Sequence, residues 1–137
     1  MTPTTAELLA GNMKALATPP PPESAGDFMG GMVGVTAMIS VLAAQEAERG
    51  AAVRVAENTA IRTLLERGGR GEAAAVGDGD LSITALDAAN ATLRRALISL
   101  HEAAEVAGDV ALEREILTLY GEMARGRRLE LPTLPGV

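Results

Sequence analysis

FMGGMVGVTAMISVLAAQEAERGAAVRVAENTAIRTLLER, from Phe28 to Arg67, decides the fold, because it is a long proline-free run in which apolar side chains recur at helical spacing. Phe28, Met32, Val35, Ile39 and Leu42 follow one another at intervals of three and four, and Val53, Ala56 and Ala60 resume that stripe. A second stripe of Ala47, Ala51, Asn58, Ile61 and Leu65 runs beside it, which predicts a helix covered on more than one side. Gly50 is the weak point. A helical glycine costs about 0.8–1.0 kcal/mol relative to alanine, but no second breaker stands beside it. The reading is one continuous helix, roughly 60 Å long at the usual rise per residue, with a bend at Gly50 as the alternative.

Working outward, residues 1–27 read as an appendage. Thr5 is placed to cap a short helix from Ala6 to Leu16 whose Leu8, Leu9, Met13 and Leu16 need a docking surface. Pro19 to Pro22 stop it and favour an extended polyproline spacer leading to Asp27, the expected cap of the long helix. Beyond Arg67, RGGRGEAAAVGDGD reads as a flexible glycine-rich loop. It lacks the G-K-[ST] of a phosphate cradle and the spacing of a calcium loop.

The next helix carries the clearest local signals. Ser82 caps it, Leu81 and Leu86 are spaced for a hydrophobic staple, and Gly108 follows its last turn. Its heptads place Ile83, Asn90, Leu97 and Ala104 at one core position and Leu86, Leu93, Leu100 and Ala107 at the other, in coiled-coil fashion. Asn90, the polar member of that seam, either fixes register or donates to a ligand. Asp109 caps a third helix over Val110–Arg127 with a stripe of Leu112, Ile116, Leu119 and Met123. Arg125, Arg127 and Arg128 follow the dipole at its end. Residues 28–128 thus form the helical bundle, and 129–137 an extended tail.

The fold class is therefore all-α, a bundle built on one long helix. The second and third helices span roughly 37 and 27 Å, and the short turn at Gly108 folds one back on the other. They leave Val33, Met38, Ile39 and Leu42 uncovered, so the expected partner is a second copy of the chain laid along that stripe, giving a homodimer.

Composition narrows the function classes. The chain has 137 residues with no cysteine, a net charge of −6 and only Phe28 and Tyr120 as aromatics. That balance disfavours a nucleic-acid surface and excludes disulfides and thiolate metal sites. Phe28 to Gln45 carries no formal charge, and Gly30 with Gly34 forms G-x-x-x-G, the pattern of a membrane span. Thr36, Ser40, Gln45 and the glycines dilute it and no basic flank or aromatic belt marks an interface, so a soluble cytoplasmic helix is the preferred reading.

Chemistry is sparse. No catalytic set and no cofactor motif is present, which points to an interaction or assembly module. One internal echo stands out, AENTAIRTLL from Ala56 and AANATLRRAL from Ala88. It places Asn58, Arg62, Asn90 and Arg94 on comparable helix faces, a candidate site for a small anion such as a carboxylate, a phosphate or an acyl-CoA-like ligand. His101, the only histidine, has Glu105 one turn on. A mixed metal site of Glu46, Glu57, His101 and Glu105 is the alternative, although pairing at i,i+4 explains His101 and Glu105 without a metal and Ile98 stands where a dimetal bundle wants glutamate.

PTTAELL at Pro3–Leu9, Phe28 followed by a V-x-x-x-A helix, and Gln45-Glu46 resemble small helical bacterial proteins of unknown function encoded beside acyl-CoA dehydrogenases and small-molecule kinases. The resemblance covers residues 3–50 and implies a bacterial cytoplasmic setting, with no catalytic residue to carry over.

Overall fold

The computed structural model describes residues 3–17, 23 and 25–131, and among them the chain is helical, with no strand. Five helices follow in order: α1 Thr5–Ala17, α2 Ala25–Arg67, α3 Gly71–Ala74, α4 Ile83–Ala107 and α5 Val110–Gly126. Pro19–Pro22 and residues 132–137 lie outside the described residues, so the polyproline spacer and most of the tail do too.

The chain divides into two compact units, one of residues 1–49 with 129–137 and one of residues 50–128. One break falls between Arg128 and Leu129 and the other inside α2, at Gly50. Helix α2 nonetheless runs unbroken through Gly50. The Arg54 Nη1 donates to the Gly50 carbonyl at 3.0 Å, adding a side-chain bond where the glycine weakens the helix.

In the first unit, α1 opens one residue earlier than its sequence implied. Thr4, not Thr5, is the cap: its Oγ1 accepts from Glu7 N at 3.3 Å, and Glu7 Oε2 accepts from Thr4 N at 2.7 Å. This is a reciprocal capping box. Helix α2 begins at Ala25, so Asp27 lies within its first turn rather than ahead of it. Among the described residues this unit buries Ala43 and Glu46 and leaves Leu9, Met29, Val33, Val35 and Val41 exposed. Among the described residues, the start of the tail is tied down where the Gln45 amide exchanges two 2.8 Å hydrogen bonds with the backbone N–H and C=O of Glu130.

The second unit holds the apolar core. Ile61 and Leu65 of α2, Leu86, Leu93 and Leu97 of α4, and Ile116 of α5 are fully buried, joined by Leu64, Leu100, Leu119 and Met123. Each such side chain contributes about 1.5–3 kcal/mol by leaving water. On α2 it is the second stripe that forms this core. The first stripe turns Val53, Ala56 and Ala60 toward α5, where they line a groove of about 210 Å³ with Leu119, Met123 and Gly126. The heptads of α4 hold except at their ends, where Ile83 is half-buried and Ala107 exposed.

Glycines shape two of the helix ends. Gly108, at φ 67°, ends α4: its N–H bonds to the Glu105 carbonyl and Asp109 N to that of Ala104, the two bonds of a Schellman motif. Asp109 then caps α5 by accepting from Leu112 N at 3.1 Å. At the end of α2, a Cβ on Gly68 would come within 2.7 Å of both Leu100 methyl carbons, so any larger residue there would push that leucine side chain aside; the next residue, Gly69, has φ 73°, the left-handed region that favours glycine. Ser82 caps α4 through a 3.3 Å bond from Ala85 N, but Leu81 is 63% exposed and the expected staple to Leu86 does not close.

Candidate functional site

The polar side chains that helical patterning places among leucines do not point outward. In the second unit they converge between α2 and α4. Arg54, Glu57 and Asn58 of α2 and Asn90 of α4 are all buried, at 6% exposure or less. Their spacing explains why. Glu57 and Asn58 each lie three or four residues from Arg54 and from Ile61, so all four share the broad face that packs on α4.

The network runs from one end to the other. Asn90 Nδ2 donates to Glu57 Oε1 at 2.7 Å and to Asn58 Oδ1 at 2.8 Å. Asn58 Nδ2 donates to Asp78 Oδ1 at 2.8 Å and to the Leu86 carbonyl at 3.4 Å. Arg62 meets Asp78 Oδ1 at 2.8 Å and also donates to the Val76 carbonyl. At the other end Glu57 Oε2 accepts from Arg127 Nε at 2.7 Å, and Asp87 Oδ1 accepts from Arg54 Nε at 2.7 Å, with Arg127 Nη1 3.6 Å away. Three guanidinium groups thus face three carboxylates, and the cluster is neutral as a whole. Both donor hydrogens of each asparagine amide are used internally.

Asp78, like Arg54 and Asp87, is a member that pattern reading missed. It lies in the glycine-rich segment expected to be flexible, yet Arg62 pins that segment to α2 through Asp78 and Val76, and Ala74 within it is buried. The Arg62 hydrogen bond holds the Asp78 carboxyl below its ordinary range against the opposing effect of burial, and the Asn58 amide adds to it. Asp80, two residues on, accepts from Ser82 N at 2.8 Å and so turns the chain into α4. The signal available in sequence was local, an Asp-Gly-Asp just ahead of a helix cap.

Arg127 also differs from its sequence reading. It was expected as a terminal charge following the helix dipole, but its side chain is only 17% exposed and ties α5 to α2 through Glu57. Arg125 and Arg128 remain exposed.

Of the echoed residues, Asn58 and Asn90 are in direct contact and Arg62 joins them through Asp78, whereas Arg94 is exposed on α4. The apolar members of the echo match as well: Ile61 and Leu93, and Leu65 and Leu97, are fully buried. Of the metal alternative, Glu57 is engaged by Asn90 and Arg127, and Glu46 is buried in the other unit. His101 Nε2 and Glu105 Oε1 are 3.7 Å apart on α4, the His101 side chain 20% exposed and that of Glu105 58%. Tyr120 meets the His101 ring edge-on at 5.7 Å between centroids. Burial raises the Tyr120 phenol above its ordinary pKa, with Arg94 lowering it and Glu105 raising it further.

These features define a class, an all-α protein whose buried polar residues are matched to one another within a leucine-rich core. The chain matches no family model, no curated protein and no solved structure.

Proposed function

We propose that the protein is a non-catalytic assembly module that pairs with a second copy of itself through the N-terminal half of α2. The observation that carries this reading is the apolar surface of that half. Met29, Val33, Val35 and Val41 are 50%, 61%, 45% and 40% exposed, on a stretch from Met29 to Gln45 with no charged side chain. Gly30 and Gly34 have open space where a Cβ would stand, which permits close backbone approach. Apolar surface of this extent calls for a partner. A self-complementary two-fold contact covers both copies at once. The neutral polar cluster supports the same reading, since its carboxylates and both asparagine amides are engaged in holding α2, α4 and α5 together, although Arg127 Nη2 is buried there without a hydrogen-bond partner. A bacterial cytoplasmic setting follows from the resemblance of residues 3–50.

A membrane is the competing partner, because α2 from Met29 to Arg67 contains a window of mean hydropathy 1.2, of which 11% is buried. Light scattering on a size-exclusion column separates the two. The expected mass is twice 14.0 kDa at micromolar concentration, falling to one chain in Val33→Glu. A single-chain mass for the native protein, or its flotation with lipid vesicles, would overturn the reading.

A further inference from the structure

We propose that His101, Glu105 and Glu113 form a binding site for a divalent transition-metal ion of the zinc class, bridging α4 and α5 beside their turn. The three residues stand outside the buried polar network and take no part in the proposed assembly contact. His101 and Glu105 are one turn apart on α4, and Glu113 sits in the first turn of α5. The Schellman turn at Gly108 and the Asp109 cap fix the second helix relative to the first, so donors from both converge. One ligand atom from each of the three lies within 4.8 Å of the other two. A zinc ion holds nitrogen and carboxylate oxygen at about 2.0–2.2 Å. The trio is wider than such a shell, so the glutamate carboxylates must swing inward to close on the ion.

A second observation points to a ligand. His101 Nε2 is shielded from solvent and has no hydrogen-bond partner, although a buried ring nitrogen ordinarily finds one. Its nearest acidic neighbour, Glu105 Oε1, is 3.7 Å away, beyond hydrogen-bond length. The edge-on contact with Tyr120 restrains the ring in this orientation. Among the described residues no arginine or lysine forms an ion pair with Glu105 or Glu113, so two carboxylates face one space without a counter-cation. Imidazole plus two carboxylates suits a borderline first-row ion better than magnesium or calcium, which prefer all-oxygen shells.

The test uses the full chain stripped with chelator. Titration calorimetry with zinc chloride is expected to give one ion per chain, and a thermal-shift assay a rise in midpoint with zinc that magnesium and calcium do not produce. Because His101 is the only histidine, one pair of imidazole ¹⁵N signals reports on the site, and zinc should move the Nε2 signal most. Glu113→Gln should weaken zinc binding by at least about tenfold, and His101→Ala should abolish it. Glu105→Gln, a neutral change at a 58%-exposed side chain, keeps the test open should His101→Ala fold poorly. No zinc binding at 100 µM metal, or undiminished binding in both Glu105→Gln and Glu113→Gln, would overturn the site while leaving the assembly reading untouched.

Discussion

The two halves of α2 are one helix under two regimes. From Gly50 to Arg67 it sets Arg54, Glu57, Asn58, Ile61, Leu64 and Leu65 into a packed core, and every one of them is buried to 6% exposure or less. From Met29 to Arg49 it carries more apolar character and buries less, with Ala43 and Glu46 the buried side chains among the described residues. Hydrophobicity alone therefore did not decide what was covered. The C-terminal half has α4 and α5 to pack against and polar groups that match theirs; the N-terminal half is mostly valines, methionines, alanines and glycines, with its polar contacts confined to its end at Gln45 and Glu46. Polar residues here mark the better-defined interface.

The largest expected effect breaks the polar half of that contrast. Glu57→Ala removes the acceptor shared by Asn90 and Arg127, leaving one donor hydrogen of a buried amide and the Nε of a largely buried guanidinium without their acceptor, at a cost of about 3–5 kcal/mol. Urea unfolding followed by circular dichroism measures it. The matched change Glu48→Ala, at an exposed position on the same helix, should stay within about 0.5 kcal/mol. Equal effects at the two glutamates would show that the network is ornamental.

Next in size is the apolar comparison. Leu93→Ala opens a cavity at a fully buried site on α4 and should cost about 2–5 kcal/mol, whereas Val41→Ala, 40% exposed on α2, should cost far less. A Leu93→Ala loss below 1 kcal/mol would mean the core relaxes around the gap.

This contrast also explains what the sequence disclosed. The all-α class, the span of α4, its Gly108 terminus and the Asp109 cap were legible because each rests on local rules, period and capping chemistry, that act within a few residues. The face of α2 that forms the core was not. Two stripes of similar hydrophobicity ran side by side, and the choice between them lay in Glu57 and Asn58, whose partners Arg127 and Asn90 are far off in the chain. The same limit hid Asp78. A glycine-rich stretch reads as loose unless one knows that Arg62 is waiting for its carboxylate. The Asn58 and Asn90 echo did place two residues that touch, yet their partners belong to the fold, which spacing could not tell from a ligand. Thr4 was missed for a smaller reason, since adjacent threonines both satisfy a cap and only Glu7, three residues after Thr4, selects between them.

Asp78 gives an effect of intermediate size with a pH signature. Its carboxyl titrates below the ordinary value of about 3.9, so the stability it contributes is complete above that value and is lost as pH falls through the folded-state value. Asp78→Asn should cost about 1–3 kcal/mol near neutrality. It should also flatten the fall in stability between about pH 5 and pH 2 relative to the native chain. An unchanged acid limb would show that Arg62 does not depend on this carboxylate.

The smallest expected change in protomer stability tests the other half of α2. Val33 is 61% exposed, so Val33→Ser removes apolar surface that is already in water, and the folded chain at high dilution should change by no more than about 0.5 kcal/mol. Self-association should respond differently. If a second copy covers this face, the native unfolding midpoint rises with protein concentration by mass action, because only the folded chain pairs. Val33→Ser lowers the apolar area available to that contact and should flatten the concentration dependence while leaving the dilute limit in place. The two readouts are separable in one series of melts from submicromolar to near-millimolar protein. A large loss at the dilute end would mean that Val33 is covered within its own chain, and the contrast between the halves of α2 would fail. A native midpoint independent of concentration would leave the contrast standing and remove the second copy as the partner.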